Sequence, residues 1–337
     1  MMARRWLLLL GVLLALLSGP ARADNCTIAS SDFAFASVSS ISSSDVYASR
    51  TFVVTCNWTN FLGSLLTPNV TVCLTLGGGT NSSASDTATR QLSNGGAVVA
   101  NYNIYTDASY SAAKVWGGWA GTNTASQGIA FQLVKSGGVG SLTQNVPLYA
   151  RLSADATLAA NAVGVDNAAV TSNFGAGSAL MQYQFSLTGV LGCLIPTGSV
   201  AIPFQVSSTV INDCNISIGN LAFPDSGMLS GTLSSSASMS LRCSKSTLYR
   251  LLLSSGVNSA NPAARRMKNV NSTETVLYQL LDAPSGNAWG DGNNGTTVVS
   301  GQGDGTTVTK VVYGKVPSQS TPSPGDYKDT VTVTVQF

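Results

Sequence analysis

Apolar and polar residues alternate in short runs along most of this chain. The clearest are SRTFVVTC (49–56), VTVCLTL (70–76), GIAFQLV (128–134), VPLYARL (146–152), ALMQYQFSL (179–187), SASMSLRC (236–243), KVVYGKV (310–316) and TVTVTVQF (330–337). A period of two with many β-branched residues marks half-buried strands. Gly-, Ser- and Asn-rich turns separate the runs, and no stretch carries a convincing helical period. Many short strands at this spacing predict an all-β protein of immunoglobulin-like sandwiches. The last run places Val331, Val333, Val335 and Phe337 on one face and reaches the final residue of the sequence.

The runs repeat. Cys26 precedes the strand ending at Cys56 by 30 residues, and Cys214 precedes the one ending at Cys243 by 29. Residues 100–118, carrying Trp116, match 276–292, carrying Trp289; 146–152 match 310–316, and 179–187 match the C-terminal run. Two copies of one β-domain follow, joined through LTGVLGCLIPTGS (187–199). Six cysteines allow 15 pairings. The repeat favours Cys26–Cys56 and Cys214–Cys243, which leaves Cys73 and Cys193 as a third bridge or as two free thiols. Bridges closing loops of this length contribute roughly 3–4 kcal/mol each. Zinc is the rival reading, but no C-x-x-C spacing is present.

The N-terminus places these domains in a compartment. Residues 1–23 combine Arg4 and Arg5, an apolar run from Trp6 to Leu17 and an Ala21-Arg22-Ala23 cleavage site, so they read as a signal peptide. The domains expected are then 24–192 and 193–337. Export together with disulfides predicts the periplasm or beyond. Cleavage removes three of the 17 basic residues and no acidic one, leaving 14 against 15 and a net charge of −1. Nothing in that balance favours nucleic acid. The absence of histidine removes the commonest general base and metal ligand. Residues 291–305 (DGNNGTTVVSGQGDG) lack the glutamate that closes an EF-hand loop and read as a glycine-rich turn. The expectation is a protein without enzymatic activity, metal or cofactor.

With these residues in view, the second half resembles the spore coat protein U-like domain, the pilin domain of archaic (Csu-like) chaperone–usher pili. The matching features are NDCNISIGNLAF (212–223), the strand ending at Cys243, WGDG (289–292), KVVYGKVP (310–317) and PGDYKDTVTVTVQF (324–337). The first half resembles the same domain more loosely, with long insertions. The resemblance implies a pilin domain that lacks its last strand. Its groove would be filled first by a periplasmic chaperone, then, at an outer-membrane usher, by a strand from the adjacent subunit. Val331, Val333, Val335 and Phe337 would line one rim. With Cys26 the third residue after cleavage, no donor segment precedes it, which points to the tip subunit of a pilus at the cell surface. Such a tip is the adhesin, active in surface attachment and biofilm formation.

The contact residues are then sought where the first half departs from the second. NWTNFLGSLLTPN (57–69) gathers Trp58, Phe61, Leu62, Leu65 and Leu66 where the second half has the short SKSTL. Five large apolar side chains in a loop either form a binding patch or fold back on their own domain. Trp119 has no counterpart in the repeat, and Val139 and Leu142 are expected to be exposed at the tip of the turn 135–145. These loops are expected together at the end remote from the second domain, with 153–178 at the opposite end. Apolar contact with abiotic or host surfaces is the first reading. A lectin with Trp58 or Trp119 stacked on a sugar and a structural coat or fibre subunit are the alternatives.

Overall fold

The computed structural model describes residues 24–337 apart from residues 60, 84–86, 119–127, 164–166, 190–192 and 194. The chain begins with β1 (Asn25–Ala29), β2 (Phe33–Ala34), β3 (Val38–Ser39) and the long β4 (Val46–Trp58). A helix, α1 (Phe61–Leu66), leads to β5 (Asn69–Leu76), β6 (Arg90–Ser93) and β7 (Val99–Tyr105). Next come β8 (Ile129–Val134), β9 (Gly140–Leu152), a helical turn α2 (Ala156–Ala159), β10 (Ala168–Phe174), β11 (Ala179–Ser186), β12 (Gly198–Ala201) and β13 (Phe204–Ile211). The second half holds β14 (Cys214–Ile218), β15 (Leu233–Cys243), β16 (Leu248–Leu253), β17 (Arg265–Asn269), β18 (Thr275–Leu281), β19 (Val299–Gln302), β20 (Thr307–Val316), β21 (Tyr327–Lys328) and β22 (Val333–Gln336). The protein is all-β, two sandwiches in series, as the alternation predicts.

The repeat extends to strand order. One sheet runs β1-β4-β9-β7-β6-β10 in the first sandwich and β14-β15-β20-β18-β17-β21 in the second. The facing sheets contain β8-β5-β11 and β19-β16-β22. β8, for which the sequence repeat offers no match, is the counterpart of β19. Cys26 faces Cys56 and Cys214 faces Cys243 as direct strand partners, and both pairs are bonded. Cys73–Cys193 is the third bridge, with Cα atoms 6.1 Å apart.

Among the described residues, the second sandwich has no counterpart to β12 and β13. In the first, β12 pairs with β11, and β13 then crosses to the other sheet and pairs with β10. The other edge of β13 takes β2 and β3 in parallel. Residues 198–211 thus lie in the sheets of the first sandwich, whereas the boundary at 192/193 assigned them to the second half. Their inward residues Ile202, Phe204, Val206, Ser208 and Val210 are all buried. Phe204 stacks on Phe174 at 4.6 Å and meets Phe52, Phe33 and Trp116 at 5.3–6.4 Å between ring centroids.

Each core also buries an arginine. Arg90 begins β6 and donates to the carbonyls of Gly77, Leu76 and Trp116, and to Asn103 Oδ1. Arg265 begins β17 and donates to those of Ser254, Leu253 and Trp289. The indole nitrogens of Trp116 and Trp289 donate in turn to Leu74 O and Leu251 O. Trp116 is accordingly framework, common to both sandwiches.

Candidate functional site

Two surfaces bear on function: the outer edge of β22 and the end of the first sandwich remote from the second. Aligning the sandwiches on the tryptophan bonds makes Val333, Val335 and Phe337 the counterparts of Ala179, Met181 and Tyr183. Ala179 and Met181 are fully buried and Tyr183 is 9% exposed. Val331, Val333 and Val335 are only partly buried against their core, and Phe337 is 59% exposed. Regular pairing begins at Val333, two residues later than the alternation suggested. Leu221 and Phe223 stand as far from Cys214 as buried Phe33 and Phe35 do from Cys26, and they too are only partly buried. Among the described residues β22 pairs with β16 alone, whereas β11 has β5 on one side and β12 on the other.

The end remote from the second sandwich is built by three connections. β4 and β9 pair along 13 residues, from Val46↔Leu152 near the junction to Trp58↔Gly140. At about 3.3 Å per residue that separates the ends by roughly 40 Å. Asn69 pairs with both Val134 and Ser186, which sets the β4–β5, β8–β9 and β11–β12 connections side by side. Asp24 lies at this end as well, its carboxylate accepting from the amide and hydroxyl of Thr59. The junction is at the other end, where Ser40 Oγ donates to Ser244 Oγ at 2.7 Å. Residues 153–161 also lie there, beside the start of β7.

The proposed contact residues divide. Phe61, Leu65 and Leu66, expected in a loop, project from α1 at 63, 56 and 60% exposure, while buried Ser64 turns the other side of this helix inward. Val139 is exposed as well. Trp58 is not available for contact: it is 1% exposed, donates its indole N–H to Thr67 O and packs edge-on to Phe185. Leu142 is a second correction, because it pairs with Cys56 and packs half-buried against the core. Trp119 and the side chain of Leu62 lie outside the described residues. Three exposed residues escaped the sequence reading: Val134, Leu187 and Ile195. Val134 and Leu187 close alternating runs and so read as strand interior, and Ile195 sits in the segment taken as a junction.

Other chemistry is sparse. No three His, Cys, Asp or Glu residues among those described are placed to hold a metal, and no described helix is long and apolar enough to cross a membrane. In residues 291–305, Asp291 accepts from Asn293 and lies below the usual carboxylate range for that reason; Asp304 does the same through Thr306, one residue beyond.

The Spore Coat Protein U domain profile matches residues 13–166 and again 201–334. The chain belongs to the spore coat protein U domain family. Among solved structures, it is similar to a chain of the CsuC–CsuE chaperone–tip adhesion subunit pre-assembly complex from archaic chaperone–usher Csu pili of Acinetobacter baumannii. That likeness covers 93% of this chain and 100% of the other, at 18% identity and a TM-score of 0.50, a likeness of fold. The CupB6 tip adhesin from Pseudomonas aeruginosa is 11% identical over 92% of both chains, with a TM-score of 0.37. No curated protein matches the chain. Both copies of the spore coat protein U domain carry the disulfide between the first strand and its partner, together with the buried arginine–tryptophan pair.

Proposed function

We propose that this protein is the two-domain tip adhesin of a chaperone–usher pilus. Residues 24–192 form the surface-binding domain, completed in its fold by β12 and β13, and the rest of 193–337 forms the pilin domain. The observation that carries the reading is the contrast between the sandwiches. One core is covered by a strand whose buried face reads Phe204, Val206, Ser208, Val210; the other has the same framework, half-buried valines and an unpaired edge at β22. An open edge beside half-covered apolar residues invites strand addition, in which backbone bonds give affinity and alternate side chains fill pockets. A periplasmic chaperone supplies that strand first, and an adjacent subunit replaces it at the usher. The subunit passes through the periplasm to the cell surface and has no enzymatic role.

Phe61, Leu65, Leu66, Val134, Val139, Leu187 and Ile195 form the adhesive patch at the far end, shared among three connections. Clusters of exposed apolar residues of this kind mark interaction sites, and attachment gains about 25 cal/mol for each Å² removed from water. The patch supports apolar attachment to abiotic or host surfaces, and so biofilm formation. Replacing Phe61, Leu65 and Leu66 with Ser is expected to abolish attachment to polystyrene at unchanged pilus number. Unchanged attachment on normally piliated cells contradicts the adhesive role of α1.

A further inference from the structure

Four of the ten tyrosines gather on the flank of the first sandwich, far from the apolar patch. Tyr47 on β4, Tyr149 on β9 and Tyr105 on β7 lie on the outer face of the sheet, Tyr105 buried beneath its neighbours, and Tyr110 comes from the β7–β8 connection. Tyr110 packs against all three, with ring centroids 4.7 Å from Tyr47, 5.4 Å from Tyr105 and 6.4 Å from Tyr149. Tyr47 is 53% exposed. Polar groups frame the rings. The Arg151 guanidinium stands 5.5 Å from the Tyr105 ring centroid and 3.7 Å from the Asp45 carboxylate, and Lys114 pairs with Asp107 at 3.6 Å.

The second sandwich serves as an internal control. Its strand register puts Ser234, Leu281, Tyr313 and Lys315 where the first has Tyr47, Tyr105, Tyr149 and Arg151. The connection carrying Tyr110 is also longer than its counterpart, 106–114 against 282–287 between the equivalent bridges. The framework therefore folds without Tyr47, Tyr105 or Tyr110. Tyr110 moreover sits at φ 51°, a left-handed backbone that bulky side chains rarely adopt. Strain of this kind clusters at binding sites.

We infer that this tyrosine cluster is a saccharide-binding platform for neutral hexopyranoses. Tyr47 offers a rigid aromatic face to the C–H groups of a sugar ring, with little rotamer freedom to lose. Asp45 and Arg151 supply an acceptor and donors for ring hydroxyls, the few convergent polar groups such a site needs. The two acidic and two basic side chains cancel, so neutral sugars suit the site better than sialylated or sulfated ones. Hydroxylated rings in a charged frame suit a sugar better than a plastic surface, so this site is separate from the apolar patch and does not rest on it.

The test is the full mature protein on an array of immobilised neutral and acidic pyranose oligosaccharides, followed by titration of the best hit with tyrosine fluorescence. Neutral hexopyranosides are expected to be retained. Tyr47→Ser, which restores the second sandwich's residue, and Tyr110→Gly, which suits the positive φ, should each weaken binding at least tenfold at an unchanged melting temperature. The Ser variant of Phe61, Leu65 and Leu66 should bind sugar normally. A blank array, retention of acidic sugars only, or sugar binding that survives both tyrosine substitutions overturns the inference.

Discussion

Arg90 carries a cost that only its surroundings explain. Its guanidinium is fully buried, yet it holds three backbone carbonyls and Asn103. Replacing Arg90 with Leu takes the guanidinium donor from three buried carbonyls, while Asn103 Oδ1 keeps the Ile104 amide, at about 1–3 kcal/mol for each group left without a donor. The expected loss is roughly 3–5 kcal/mol, read from the urea midpoint. Trp58→Ala should likewise cost about 3–5 kcal/mol by leaving a cavity, and if the stable fraction is assayed, attachment per pilus should hold. Burial pushes the Tyr102 hydroxyl up to about 12. A raised tyrosine keeps its full contribution below the ordinary value near 10 and loses it as pH climbs toward 12. Stability should therefore fall over that window, and Tyr102→Phe should flatten the alkaline limb. Of these residues, Trp116 and Trp289 were legible as a repeated pair. The arginines were not, because a lone cation in a strand pattern usually marks a solvated face, and only the contacts distinguish the two cases. Trp58 looked like a contact residue because it borders a loop, although it closes β4 on the inward face.

At the scale of elements, alternation carried most of the fold, since strands announce themselves at period two. Six residues in α1 are too few for a helical period, so its single exposed face was hidden in what read as a loop. The pairing of β13 was hidden for another reason. The alternation of Phe204, Val206, Ser208 and Val210 declares a strand, but strand order is not written in a pattern, and the second half offers no copy for comparison. The β11–β12 connection was similarly overlooked, and it yields a separate prediction. Leu187→Ser together with Ile195→Ser should reduce attachment to polystyrene, in the direction expected for the substitutions in α1. Exposed positions of this kind usually move stability by under about 0.5 kcal/mol, so melting temperature and pilus number should stay constant. Full attachment by this variant would remove the third connection from the patch.

For the whole molecule, the proposed function requires the second sandwich to take up a strand that the first already has. The resemblance to pilin domains suggested this from sequence. Residues 198–211 pair with β11 and β10 in the first sandwich, along the path we propose for a donated strand in the second. Thermal unfolding of the mature protein, with and without a copy of residues 198–211 joined after Phe337 through a short turn, tests this most directly. By covering the half-buried residues of the second core with the apolar face of the copied strand, the addition should raise the melting of the second sandwich by on the order of 10 °C. The amides of β22 should gain protection from hydrogen exchange, and a matched copy with Phe204 and Val206 changed to Ser should do neither. Equal melting with all three C-termini, or a β22 already fully protected without an added strand, would contradict the account.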